Sequence, residues 1–106
     1  MKVVWAALAE QRALEAVDYI AQDRPQAAAA WLEELILRVD ALDRFARRGR
    51  VIPEIGLPAY REIFHSPYRV IYRVDASRVV ILDIAALAPG VGLERNGRTS
   101  IIVNAE

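Results

Sequence analysis

Tyr60-Arg61-Glu62-Ile63-Phe64-His65-Ser66-Pro67-Tyr68-Arg69-Val70-Ile71-Tyr72-Arg73-Val74 holds two alternating runs around a two-residue break. Successive side chains of a strand point to opposite faces, so the pattern predicts a β-hairpin turning at Ser66-Pro67. In that hairpin Tyr60, Glu62 and Phe64 share one face, with Arg61, Ile63 and His65 on the other. On the second strand Val70, Tyr72 and Val74 oppose Arg69, Ile71 and Arg73. One face is expected to enter a core while the other stays charged. Arginine there suits carboxylates or phosphates, because its guanidinium is a planar fork of donors that does not deprotonate. The stretch limits the class of partner and leaves the reaction open.

Downstream, Asp75-Ala76-Ser77 supplies a tight turn, and Arg78-Val79-Val80-Ile81-Leu82-Asp83-Ile84-Ala85 follows as a largely buried strand. Upstream lies a loop with Pro53, Gly56 and Pro58, preceded by Arg47-Arg48-Gly49-Arg50. Before it, residues 25–46 show a helical stripe of Ala27, Trp31, Leu35, Val39, Leu42 and Phe45, with Glu33, Glu34, Arg38, Asp40 and Asp43 around it. Pro25 fits the first position of this helix, where its missing N–H is no loss. Residues 7–22 carry Leu8, Leu14, Val17, Ile20 and Ala21 as a second amphipathic helix, and Lys2 to Trp5 form a short opening strand. The expected architecture is α+β: an N-terminal strand, an antiparallel helical hairpin, then a three-stranded antiparallel meander with the helices packed on one sheet face.

The chain has 106 residues and is expected to form a single domain with its own core. It has no cysteine and one histidine, so neither a disulfide framework nor a zinc site is indicated, and no cofactor is implied. The apolar N-terminus meets Glu10 too early for a signal peptide or a membrane span, and a cytoplasmic location without membrane association is expected. Formal net charge is zero, yet residues 1–43 hold eight acids and four bases, while residues 44–78 hold eight arginines and three acids. The middle third is a basic stripe. Thirteen of the fourteen basic residues are Arg, which a GC-rich genome or selection for bidentate contacts would each explain.

These residues resemble the ParE/RelE superfamily of bacterial type II toxins, in its ParE-like branch. The resemblance spans about residues 3–85. It rests on the opening strand, Tyr19-Ile20-Ala21, the helix start from Pro25 to Ala30, the passage from Leu42 to Pro53-Glu54, and above all Tyr60-Arg61-Glu62 followed by Tyr68 to Val74. It implies a toxin neutralised by direct binding of a cognate, ParD-like antitoxin in a hetero-oligomer. RelE-like members are ribosome-dependent endoribonucleases that need several convergent basic and hydroxyl groups. Arg61 and Arg69 match basic positions of that branch, with His65 as a candidate base. Ile63 stands where that branch often has another basic group, and the last strand ends Asp83-Ile84-Ala85-Ala86-Leu87 without Arg, His or Tyr. Losing a proton donor costs a factor of about 10²–10⁴, and losing an electrostatic clamp about as much again. ParE-like members instead poison DNA gyrase, and that non-enzymatic inhibitor is the favoured reading. The endoribonuclease and an inactive member that only binds antitoxin are the alternatives. For the inhibitor, the target- or antitoxin-binding set is Arg61, Arg69, Arg73, Tyr60, Tyr68, Arg47, Arg48 and Arg50, with no direct sequence-specific nucleic-acid binding.

Plainer roles stand beside these. His65 fits a solvated turn residue, and Arg61, Arg69 and Arg73 fit a sheet surface paired with Glu62 or Asp75. Trp5, Trp31, Phe45 and Tyr72 fall on apolar faces and are expected in the core. Arg47-Arg48-Gly49-Arg50 suits a solvated helix exit, and Ala27 to Ala30 are good helix formers that would also allow a partner close approach. Residues 86–106 form a C-terminal extension, with a breaker-rich connector from Ala88 to Leu93 and a strand-like run from Thr99 to Asn104. It is either an extra edge strand or target-contacting tail, or a disordered or non-native segment.

Overall fold

A computed structural model describes residues 1–87. The connector at 88–93 and the apolar run at 99–104 lie outside the described residues. The elements are β1 (Lys2–Trp5), α1 (Ala7–Ala21), α2 (Pro25–Asp40), a 3₁₀ turn (Ala41–Asp43), β2 (Arg50–Val51), β3 (Tyr60–His65), β4 (Tyr68–Val74) and β5 (Arg78–Ala86). They give the expected α+β order, with the strands in one mixed sheet ordered β1-β5-β4-β3-β2. β1 runs parallel to β5, pairing Lys2 with Arg78 through Trp5 with Ile81, and the other neighbours are antiparallel.

The hairpin register follows from its alternation: Tyr60 faces Arg73, Glu62 faces Ile71 and His65 faces Tyr68. Ser66-Pro67 makes the turn, with a cis peptide bond between them. Ile63, Val70, Tyr72, Val79, Ile81 and Ile84 form one sheet face, and it packs beneath Trp31, Leu35 and Val39 of α2 and the alanines of α1. The opposite face carries a smaller core of Ile52, Ile71, Val80 and Leu82, packed against Ile55, Tyr60 and Ala85. The second core departs from a simple charged outer face. The proline-rich segment after β2 folds back over the sheet, and its Ile52 reaches zero exposure. Gly56 lets that segment turn, since its φ of 71° is one that L side chains rarely adopt.

Both helices depart from the expected stripes in instructive ways. α1 buries Ala9, Ala13 and Ala16, whereas Leu14 is 62% exposed. Alanines spaced four and three residues apart let α1 sit close to its neighbours, so the small residues mark the inner face rather than the large ones. α2 begins at Pro25 as expected but ends at Asp40 rather than 46. The tighter turn keeps Leu42 in the core while Phe45, the next residue of the stripe, swings outward to 51% exposure. Trp31 and Tyr72 are buried as expected, and Trp5 is half-buried. β2, a two-residue edge strand pairing Arg50 with Glu62 and Val51 with Arg61, falls in what alternation alone leaves as loop.

These positions predict opposite outcomes for two leucines. In urea denaturation, Leu35→Ala is expected to cost about 2–5 kcal/mol. Leu14→Ala is expected to stay within about 0.5 kcal/mol of wild type.

Candidate functional site

Arg61 and Arg69 lie on opposite faces of the sheet, because Arg61 pairs with Tyr72 and Arg69 with Phe64 in the alternating register. Each has an internal task. Arg61 Nε donates to the Pro58 carbonyl at 2.9 Å, and its Nη1 donates to the Gly49 carbonyl at 2.9 Å and the Arg47 carbonyl at 3.4 Å. It ties the segment before β2 to the segment before β3. Arg69 is buried, and its Nη1 donates to Glu62 Oε1 at 2.7 Å. The other carboxylate oxygen of Glu62 accepts from Arg50 Nε at 2.7 Å. The Glu62 side chain has no exposure, whereas that of Arg50 is 52% exposed, so this ion network runs from the interior to the surface. Nε and Nη2 of Arg69 make no hydrogen bond. Arg73 holds Asp75 through two bonds of 2.8 and 3.1 Å. That grip holds the Asp75 carboxyl below its usual range, helped by Arg78.

His65 is not a solvated turn residue: it is only 4% exposed. Its Nε2 lies 3.0 Å from the Trp31 carbonyl and its Nδ1 3.3 Å from Arg38 Nη1. A carbonyl can only accept, and Arg can only donate, so the bonds assign the proton to Nε2 and the acceptor lone pair to Nδ1. The Trp31 ring lies 5.1 Å from the imidazole and 5.3 Å from the Tyr68 ring, and its Nε1 donates to the Ser66 carbonyl at 3.1 Å. The hairpin tip is therefore clamped to α2, and that docking draws His65 inside. Sequence spacing places His65 beside a turn and carries no signal of the helix that covers it.

The ribonuclease set does not converge. His65 and Arg61 share a face but stand four residues apart along β3, ~13 Å at strand rise, and Arg69 lies beyond the sheet. What does gather is the basic run after α2. Tyr72 Oη accepts from Gly49 N–H at 2.9 Å and donates to the Ala46 carbonyl at 2.8 Å. Burial raises the Tyr72 phenol pKa against the lowering effects of the Gly49 bond and of Arg61 and Arg48. A Cβ on Gly49 would lie 2.6 Å from the Glu62 carbonyl oxygen, so no larger residue fits there without backbone movement. Around this anchor Arg44, Phe45, Arg47, Arg48 and Arg50 are exposed. Phe45 lies in space with this group, the Arg48 and Arg44 guanidinium carbons 4.7 and 6.0 Å from its ring centre, a placement its apolar spacing concealed.

Of the remaining candidates, Tyr60 is half-buried against the smaller core. Tyr68 is half-buried and its phenol pKa is raised, chiefly by burial and secondarily by Tyr19. Tyr68 also lines a groove of about 730 Å³ together with Arg12, Glu15, Tyr19, Ala86 and Leu87. Arg12 Nη1 of α1 stands 3.6 Å from Asp83 Oδ1 of β5. Beyond Ile81, β5 has no β1 partner.

Fold and site together define a small α+β protein whose β3–β4 hairpin tip is clamped to α2. The chain belongs to the ParE toxin family of type II toxin–antitoxin systems, whose model matches residues 3–86. It is also similar in structure to a chain of the chromosomal ParDE toxin–antitoxin system from P. aeruginosa. That match has a TM-score of 0.70 at 21% identity and covers 83% of this chain and 97% of the other. No curated protein sequence matches it. No helix among the described residues is long and apolar enough to cross a membrane.

Two substitutions test these anchors. Glu62→Gln removes the charge that compensates buried Arg69 and is expected to cost about 3–5 kcal/mol in urea denaturation. Tyr72→Phe leaves the buried Gly49 N–H and the Ala46 carbonyl without their partner, a loss of about 1–3 kcal/mol. The raised Tyr72 pKa also sets a sign: its contribution is complete below the unfolded value of about 10 and is lost as pH rises through the folded value. Wild-type stability should therefore decline in that alkaline range by an increment that the Phe variant lacks, measured by denaturation across pH.

Proposed function

We propose that this toxin acts on DNA gyrase as a cytoplasmic protein inhibitor, stalling it after strand cleavage, and that a cognate antitoxin neutralises it by direct binding in a hetero-oligomer. The observation that carries the reading is the internal commitment of the groups that catalysis would need. Arg69 is locked to Glu62, Arg61 to backbone carbonyls, and both ring nitrogens of His65 are engaged. A general base needs an available lone pair within reach of a substrate proton, and a docking surface needs only shape and charge.

On this reading Arg47, Arg48 and Arg50 meet the target. Arg61, Arg69 and Arg73 support them from behind by holding the loops and strands in place. The groove beside Tyr68 suits an antitoxin segment, since α1 walls it and β5 beyond Ile81 has no β1 partner to occupy that side. A segment that orders as it binds could lie there, adding backbone bonds to a strand edge or an apolar face to the helix. Tyr60, packed against the smaller core, backs the same sheet from its other face.

Gyrase supercoiling and cleavage assays with the purified protein, run beside a ribosome-programmed mRNA cleavage assay, test the reading. Stabilised DNA breaks without mRNA cuts are expected, and the Arg47→Ala/Arg48→Ala double variant should need about tenfold more protein for the same effect. mRNA cleavage without any effect on gyrase would overturn the proposal. Arg61 and Arg69 are poor choices for this experiment, because their removal disturbs the fold itself.

A further inference from the structure

The loop between the 3₁₀ turn and β2 carries more positive charge than its surroundings explain. No acid occurs between Arg44 and Pro53. Among the described residues no ion pair engages Arg44, Arg47 or Arg48, whereas Arg50 is held by Glu62. Two of these exposed arginines lie over Phe45, itself 51% exposed, with the Arg48 guanidinium carbon 4.7 Å and that of Arg44 6.0 Å from the ring centre, and Arg47 is exposed beside them. They border an open recess of about 580 Å³ whose lining includes one acid, Asp43.

A flexible tail with these residues would carry little meaning, but this loop is built. Tyr72 Oη bridges Ala46 and Gly49, Arg61 holds the carbonyls of Gly49 and Arg47, and Arg48 N–H donates to the Phe45 carbonyl at 2.9 Å. The backbone bonds made by Tyr72 and Arg61 leave the outward Arg44, Phe45, Arg47 and Arg48 side chains to face a partner. Fixing the backbone beforehand lowers the ordering cost of binding.

We propose that this loop is a sequence-independent binding site for single-stranded nucleic acid, with Arg44, Arg47 and Arg48 on successive phosphates and Phe45 stacked against a base. The arrangement has both parts that such recognition uses. Guanidinium forks match phosphate geometry, and an exposed ring flanked by arginine offers a π-face that any base can meet. An acidic protein segment would satisfy the charges, but its carboxylates would not use the exposed π-face of Phe45, which a base can stack on. The binding is a property of the toxin alone and goes beyond the gyrase reading. If gyrase is the target, the loop would give the toxin a grip on its DNA as well as on the enzyme.

Fluorescence anisotropy with the full chain and a fluorescein-labelled oligothymidylate of about 12 nucleotides, at about 50 mM salt, is the test. Saturable binding is expected, with affinity falling as salt rises. In Arg47→Ala/Arg48→Ala the affinity should drop at least about tenfold, and the slope of log affinity against log salt should shrink by about 1.4, or 0.7 per lost phosphate contact. Phe45→Ala should weaken the oligothymidylate by roughly fivefold or more. All substituted side chains are exposed, and circular dichroism and urea denaturation confirm that the variants are folded. Unchanged affinity in either variant overturns the proposal. So does equally tight binding of labelled polyglutamate, which would mark the loop as a site for acidic protein. A double variant that loses gyrase inhibition while binding oligothymidylate normally would also sink this inference and leave the gyrase reading standing. Lost oligothymidylate binding with gyrase inhibition retained would support this inference and leave the gyrase reading standing, removing only Arg47 and Arg48 from its contact surface.

Discussion

A carboxylate with no exposed surface, Glu62, sits between two arginines, and much of the sheet depends on its being there. Its oxygens reach Arg69 on the neighbouring strand β4 and Arg50, which the register places directly opposite on β2. Removing such a group from water carries a penalty of several kcal/mol, offset only when charge and hydrogen bonds meet it in good geometry. Any slip of β3 by one residue would turn Glu62 toward the helices and strand Arg69 without a counter-charge. The apolar alternation favours the observed register, and the ion network penalises the others. It also explains why a strand as short as β2 persists at the edge, since Arg50 adds a charged bond to two backbone pairings.

Tyr72 extends the same logic to the opposite face. Its ring belongs to the main core, and its hydroxyl emerges where the chain passes from α2 into the sheet. A phenylalanine would fill the ring position equally well but could not satisfy Gly49 and Ala46. Gly49 must in turn lack a side chain for the backbone to come this near to Glu62. The tyrosine, the glycine and the buried glutamate thus form one contiguous arrangement spanning both sheet faces, and the basic loop is its visible outcome. Arg61 completes it by acting as a clamp on backbone carbonyls.

Elements whose sequence signal is local were legible. Alternation located β3 and β4, a continuous apolar run located β5, Pro25 marked the start of α2, and Lys2 to Trp5 stood out as a strand. What escaped depended on partners distant in sequence. Nothing near His65 announces that Trp31 and Arg38, 34 and 27 residues away, will enclose it. Leu14 looked like core because it is large, yet the inner face of α1 is made of alanines whose value lies in how near they let the helix approach. Phe45 fitted a helical stripe that the chain leaves at Asp40. Arg69 and Glu62 were visible as a possible pair, but burial separates a structural ion network from a surface one, and only the fold determines that.

The distribution of arginine argues for a division of labour. On β3 and β4 the guanidinium groups point inward or back to the chain: Arg69 to Glu62, Arg73 to Asp75, Arg61 to carbonyls. In the loop before β2, three others have no acidic partner among the described residues. A basic active site requires its charges to meet at one substrate atom, which calls for side chains from several strands converging on the same face. Here the sheet sends Arg61 and Arg69 to opposite faces and closes His65 under a helix. Charge is left without acidic partners in a loop whose backbone Tyr72 and Arg61 hold from behind, beside an open recess rather than at a point where several strands converge.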